Sequence, residues 1–219
     1  MKLSDKYQPK DLRDIVFPDD DTRTLVTSIA QGYPPDHLIL HGPHGTGKSA
    51  LVQAMIEEAK KTTSVDVFSR HGSQFEAKSQ VQNIVKEIDI RYCTVNWNNE
   101  RRVLVIDEVD MLSDFAQRQL CNIIDNNHYQ VQVLMTTNYL DGLDGRLRDR
   151  ADKIHIPHLP PDAWLDRAQT ILKAEDVIEN DASVLAALAT EPGSIRGMLR
   201  ALEELCRQNR ASAQPAGTV

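Results

Sequence analysis

The sequence contains no run approaching the roughly 18 uninterrupted apolar residues that a membrane span requires, so no membrane partner is expected. Its three cysteines, Cys93, Cys121 and Cys206, are odd in number, far apart and without a C-x-x-C pair. That argues against a disulfide framework and a cysteine zinc site, and for a reducing, cytosolic compartment. The opening, Met1 to Lys10, carries charge and Pro9 but no apolar stretch, so no secretory leader is expected. No internal repeat is present. Positive charge is not in excess either: the formal net charge is −7. That speaks against a surface coated in basic patches, although a few phosphate contacts on one face are compatible with it. What remains is an ordinary globular balance, 41% hydrophobic and 26% charged over 219 residues, enough for one domain and a small second one.

From Asp36 onward, short apolar runs alternate with helical patterns, which predicts a parallel sheet covered on both faces. Strands are expected at His37–Leu40, Val65–Ser69, Val103–Ile106, Val131–Thr136 and Lys153–Ile156. Between them, helices are expected at Lys48–Lys60, Glu76–Tyr92 and Asp114–Asn126. Pro157-His158-Leu159-Pro160-Pro161 then reads as a stiff linker, since each proline fixes its own φ and biases the preceding residue away from helix. Only helical patterns follow, at Pro161–Ala174, Ala182–Thr190 and Ser194–Gln208. The expected division is a sheet-containing unit over 1–159, a helical lid over 160–210 and a disordered tail over 211–219.

The chemistry begins at Gly42-Pro43-His44-Gly45-Thr46-Gly47-Lys48-Ser49, which matches G-x-x-x-x-G-K-[ST] between an expected strand and helix. Glycines there let backbone N–H groups turn inward around a phosphate, and the helix N-terminus adds partial positive charge. Lys48 can neutralise the β- and γ-phosphates of ATP, and Ser49 can ligate magnesium. The alternative, a Gly-rich turn that binds nothing, does not account for all eight positions in that context. Asp107 and Glu108 follow the apolar run Val103–Ile106. An acid ending a buried strand next to the P-loop suits Asp107 as a magnesium ligand through water, and Glu108 is placed to polarise the attacking water. Asn138, at the end of the next run, can reach the γ-phosphate or the lytic water from the side if its strand lies beside that of Asp107. Arg146, Arg148 and Arg150 form a cluster from which one arginine can act on a neighbouring subunit's nucleotide. In the last unit, Arg196 opens a helix and can reach back over the nucleotide.

These segments together resemble the small clamp-loader subunits of the replication factor C type, within the AAA+ ATPases. Lys6-Tyr7-Gln8-Pro9 with Leu12 and Asp14-Ile15-Val16 is similar to that family's K-Y-R-P…L-x-D-I-V opening. The P-loop, Asp107-Glu108-Val109-Asp110-Met111-Leu112, Ala116-Gln117, Thr137-Asn138-Tyr139 and Gly193-Ser194-Ile195-Arg196 follow in the family's order, over roughly Lys6 to Leu205. The resemblance implies a five-stranded parallel α/β core with a helical lid, and ATPase activity with ATP and magnesium. It also implies that Tyr7, Pro9, Ile15 and Val16 line the adenine pocket. Asn138 would be the first sensor, Arg150 the arginine finger acting in trans, and Arg196 the second sensor. Three departures stand out. Asp149-Arg150-Ala151 replaces the family's S-R-C, which keeps Arg148 as a rival finger. His44 replaces a proline in the P-loop. The sequence ends at Val219, where those subunits continue into a collar domain.

The expected function is accordingly an ATP-driven, DNA-associated switch of clamp-loader type in replication, cytoplasmic and nucleoid-associated. Its expected partners are copies of itself or homologous subunits, DNA, and a sliding clamp or other replication protein. Lys78, Lys86 and Arg118 are the candidate DNA-phosphate contacts. The alternatives are an initiator, helicase loader or transposition regulator of the same ATPase class, and a nucleotide-gated interaction module with little hydrolysis.

Overall fold

A computed structural model describes residues 2–32, 37–75, 78–92, 101–127, 131–191 and 193–213. Strands β1 (Leu38–His41), β2 (Val65–His71), β3 (Arg101–Asp107), β4 (Val131–Thr137) and β5 (Asp152–His155) form one sheet. All pairings are parallel and the order is β2-β3-β4-β1-β5. The helices are α1 (Leu3–Lys6), α2 (Asp20–Ala30), α3 (Lys48–Ala59), α4 (Lys78–Tyr92), α5 (Asp114–Asn127), α6 (Gly145–Arg148), α7 (Leu165–Ala174), α8 (Asp181–Leu188) and α9 (Ile195–Ala213). Among the described residues no helix is long and apolar enough to cross a membrane.

Successive strand residues point to opposite faces, so continuous apolar runs serve two cores at once. Leu38, Leu40, Val103, Val105 and Leu134 pack with Val26 and Ile29 of α2 and Leu51, Val52 and Met55 of α3. Ile39, Leu104, Ile106 and Met135 pack with Val81, Ile84 and Ile88 of α4 and Leu120 and Ile124 of α5. Each such side chain contributes about 1.5–3 kcal/mol on burial. This two-sided burial holds the strand ends, and the loops that follow them, in fixed positions.

The expected elements all occur, with shifted ends. β2 runs two residues past Ser69, because Arg70 and His71 continue to pair with Ile106 and Asp107. The strand of Asp107 is not adjacent to the strand that enters the P-loop: β4 lies between β3 and β1. β4 does lie beside β3, as the Asn138 argument required. α2 was not anticipated, since only a narrow stripe of its polar-rich sequence is apolar. It starts where the Asp19 side chain accepts from Thr22 N–H at 2.6 Å. It stops where Arg101 donates to the carbonyls of Ile29 (2.8 Å) and Ala30 (3.0 Å).

The C-terminal helices build a third cluster, in which Leu159 and Trp164 pack with Ile171, Leu172, Val184, Leu188, Met198 and Leu202. Leu3 belongs to this cluster and Tyr7 and Val16 pack on it, although the sequence-based division assigned 1–159 to the sheet unit. The carboxylate of Glu175 accepts from Lys6, from Tyr7 Oη at 2.8 Å and from Arg210 at 2.9 Å. Those partners hold it below the usual glutamate range. The N-terminal segment is thereby fastened to the lid. α9 continues to Ala213, past the expected end at Gln208, and residues 214–219 of the expected tail lie outside the described residues.

Candidate nucleotide site

β1 ends at His41 and the chain turns immediately through the P-loop into α3. Gly42, Gly45 and Gly47 all have positive φ, a region costly for residues with a Cβ. Lys48, the first residue of α3, is 7% exposed. Its ammonium donates to the carbonyls of Gly42 (2.9 Å) and Pro43 (2.7 Å) and to Asn138 Oδ1 (2.9 Å). Burial draws its pKa below the ordinary lysine value, and the carboxylates of Asp110, Asp107 and Glu108 push it back up. Because an ammonium only donates, the oxygen of Asn138 faces Lys48 and its amide nitrogen faces away. Thr46 Oγ1 donates to Pro43 O at 3.1 Å and braces the turn. His44 is exposed, with its ring edge-on to Tyr139 at 6.3 Å between centroids.

Ser49 Oγ donates to both carboxylate oxygens of Asp107, at 2.7 and 2.9 Å. The two are brought together across the intervening β4, whose Thr136 hydroxyl also donates to Asp107. Thr136 Oγ1 in turn accepts from Glu108 N–H at 3.0 Å. Glu108 has φ 55, an uncommon conformation for a residue with a side chain. Its carboxylate lies 3.3 Å from His71 Nε2, at the end of β2. Ser73 N–H donates to His71 Nδ1 at 3.2 Å, so Nδ1 is the acceptor and Nε2 carries the proton toward Glu108. Gly72 is required here: a Cβ on it would lie 2.1 Å from the carbonyl oxygen of Glu108. His71 and Gly72 were missed in the sequence because they lie beyond the expected end of β2.

A cavity of about 580 Å³ runs between the P-loop, the N-terminal segment and the lid. Tyr7, Pro9, Ile15 and Val16 line it, as do the P-loop from His44 to Ser49, Glu108 and Asn138. Gly42, Pro43 and Asp107 are not part of this lining and are joined to it through Lys48 and Ser49. From the lid side come Trp164, Arg167, Ile195 and Arg196. Arg196 is exposed in the first turn of α9 and has no ion-pair partner among the described residues. Arg167, which sequence reasoning did not single out, donates to Asp14 at 2.8 Å and ties lid to core at the cavity wall. The lid also meets the P-loop itself, where Ile195 N–H donates to Gly45 O at 2.9 Å.

The donor set fits a nucleotide and a hard cation. Lys48 now satisfies its charge with neutral carbonyl and amide oxygens, which are weaker acceptors than phosphate oxygens. A serine hydroxyl beside a carboxylate offers the oxygen ligands that magnesium takes. The arginine cluster lies away from these contacts. Arg146 pairs with Asp144, Arg148 with Asp141 and Arg150 with Asp125, and none lines the cavity. Lys78, Lys86 and Arg118 are exposed on α4 and α5, with Lys78 over the Phe115 ring.

Residues 38–158, more than half of the chain, match the family described as ATPase family associated with various cellular activities (AAA). The chain is 26% identical over 206 residues to probable replication factor C subunit 5 of Dictyostelium discoideum, covering 92% of this chain and 58% of that protein. It is 26% identical over 200 residues to the replication factor C small subunit of Halobacterium salinarum, covering 91% of this chain and 61% of the relative. It thus spans about three-fifths of the length of these curated relatives. Among solved structures, the Thermotoga maritima RuvB Holliday junction branch migration motor superposes with a TM-score of 0.67 at 20% identity, covering 94% of this chain and 65% of that one. That likeness concerns the fold alone.

Proposed function

Since this chain belongs to the ATPase family associated with various cellular activities, we propose that it binds ATP with magnesium, hydrolyses it where subunits meet, and acts as a clamp-loader-like switch on DNA in replication. The observation that carries this reading is the convergence of Lys48, Ser49, Asp107, Glu108 and Asn138 on one P-loop, beneath a lid that presents Arg196 to the same cavity. In this reading 1–159 is the nucleotide-binding unit and 160–210 the lid that responds to the nucleotide.

The P-loop N–H groups and Lys48 would hold the phosphates, and Tyr7, Pro9, Ile15 and Val16 the adenine. Ser49 and, through water, Asp107 would hold magnesium, which when bound supplies charge neutralisation at the β- and γ-phosphates. Glu108 orients the attacking water and takes its proton, and Asn138 fixes the water or the γ-phosphate from the side. Arg196 neutralises developing charge from the lid. Arg150 does so from the neighbouring subunit, with Arg148 as the rival for that role. The replication factor C names of the relatives support a place in replication; DNA, homologous subunits and a sliding clamp or other replication protein are the partners this reading gives, in a cytoplasmic, nucleoid-associated setting.

The test is ATP turnover with and without primed duplex DNA, alongside mass measurement with a non-hydrolysable ATP analogue. Nucleotide-dependent assembly and DNA-stimulated turnover are expected. A monomer whose turnover ignores DNA would refute the clamp-loader reading.

A further inference from the structure

Resting on the trans arginine reading of the preceding section, we infer that Asp125 of α5 is a positioning residue that holds the Arg150 guanidinium in the orientation used on the next subunit's nucleotide. Arg150 Nε and Nη2 donate to the two oxygens of Asp125 at 2.6 and 2.8 Å. Nη1 donates to the carbonyl of Arg146 at 2.8 Å. A guanidinium carries five N–H donors, so these three bonds leave two, one on each terminal nitrogen. Neither faces Asp125. The side chain is thus held by two partners and keeps one donor on each terminal nitrogen for an anion.

The support beneath this clamp is built rather than incidental. Gln117, Cys121 and Asp125 recur every four residues and form one stripe of α5. Gln117, 4% exposed, accepts from Asp144 N–H at 2.7 Å and donates to Leu112 O at 3.2 Å. Asp144 caps α6 by accepting from Arg146 N–H at 2.9 Å. Cys121, between them on the stripe, is buried in the apolar cluster that also holds Leu143, Leu147 and Ala151. α5 therefore fixes the Arg150 segment at its backbone through Gln117 and at its tip through Asp125. The other two arginines lack a comparable arrangement. Arg148 makes one 3.2 Å bond to the fully exposed Asp141. Arg146 folds back onto Asp144, two residues before it.

The pair's contribution to folding is small, because the Asp125 side chain is 50% exposed and the Arg150 side chain 31%. Its contribution to presentation is larger. A free arginine side chain samples rotamers worth roughly 30-fold in rate, ~2 kcal/mol at ~1.36 kcal/mol per tenfold. A guanidinium already ordered loses none of that on insertion. Asp125→Ala is therefore expected to slow turnover by about 5- to 30-fold, with ATP-analogue affinity, assembly and Tm unchanged. Asp125→Glu should recover most of the loss.

The experiment measures turnover of the full chain under assembling conditions for wild type, Asp125→Ala, Asp125→Glu, Arg150→Ala and the Asp125→Ala/Arg150→Ala double variant. If Asp125 acts through Arg150, the double variant is no slower than Arg150→Ala. Mixing adds a directional readout, because an Arg150→Ala chain supplies sound P-loops and a Lys48→Ala chain supplies sound arginines. Adding Asp125→Ala to the Lys48→Ala chain should lower the restored activity by the same factor. Adding it to the Arg150→Ala chain should change nothing. Should Arg150→Ala be impaired while Asp125→Ala matches or exceeds wild type, Asp125 is no positioning residue and the trans reading survives. A loss that follows the P-loop chain, or that deepens the Arg150→Ala defect, overturns it equally. If Arg150→Ala itself turns over like wild type, the trans reading falls and the role of Asp125 falls with it.

Discussion

Gly45→Ala tests how the lid is joined to the P-loop. Gly45 has φ +79, and a Cβ added to it would lie 2.6 Å from Ser194 Oγ and 3.2 Å from Ser194 Cβ. Ser194 cannot swing away cheaply, since its hydroxyl accepts from Gly197 N–H at 3.1 Å and caps α9. Two costs add. Holding a side-chain-bearing residue in left-handed backbone costs about 1–2 kcal/mol. Displacing Ser194 breaks the Ile195 N–H bond to Gly45 O, a further loss of about 0.5–1.5 kcal/mol. A total of roughly 1.5–3.5 kcal/mol shifts the docked lid toward the undocked one by about 10- to 300-fold at 1.4 kcal/mol per tenfold. If the whole cost reaches the global transition, Tm falls by about 3–14 °C for a chain of this size. Thermal melting and titration with an ATP analogue read the two effects. Adding Ser194→Gly to Gly45→Ala removes the clash and leaves the strain, at a few tenths of a kcal/mol for the weaker cap, so roughly a quarter of the loss should return. Melting within a degree of wild type at unchanged affinity would falsify the argument. So would a double variant no better than the single one.

Three further outcomes follow from the same contacts. Lys48→Ala should weaken ATP binding by roughly 10²-fold or more, because charge-assisted phosphate contacts are lost. Its Tm should stay close to wild type, since the lysine is held in place against its own desolvation; calorimetric titration beside a melt checks both halves. Glu108→Gln should keep ATP affinity and lose hydrolysis, since the amide cannot take a proton; wild-type turnover in that variant removes Glu108 as the base. His41, behind the P-loop, has its pKa lowered below 6.5 by burial and by His155, whose ring centroid is 5.1 Å away. The unfolded chain then binds this proton at higher pH than the folded one, so stability is lost as pH falls below about 6.5. Melting curves from pH 7.5 to 5 should show that fall, and His41→Leu should flatten it; an unchanged slope in the variant sinks the assignment.

The sequence alone was enough for the P-loop because its chemistry is local: eight consecutive residues carry the turn, the cation and the hydroxyl. It was enough for the layered sheet because runs such as Val103–Ile106 are apolar on both faces, which only a doubly covered strand tolerates. It placed Tyr7, Ile15 and Val16 together only through family likeness, since nothing in their spacing brings them to a cavity. Helix α2 escaped because Val26, Ile29 and Ala30 are too few to mark a periodicity among polar neighbours. The tertiary structure decided the rest. It inserted β4 between β3 and β1, so that Thr136 could tie Asp107 to Glu108. It extended β2 until His71 faced Glu108, and set Asp125 against Arg150. It also lowered α9 onto Gly45. Each of these pairings joins residues far apart in the chain, and each depends on strand order, strand register or the angle of a packed helix. Those quantities come from how whole faces bury against one another, and no local pattern of residues encodes them.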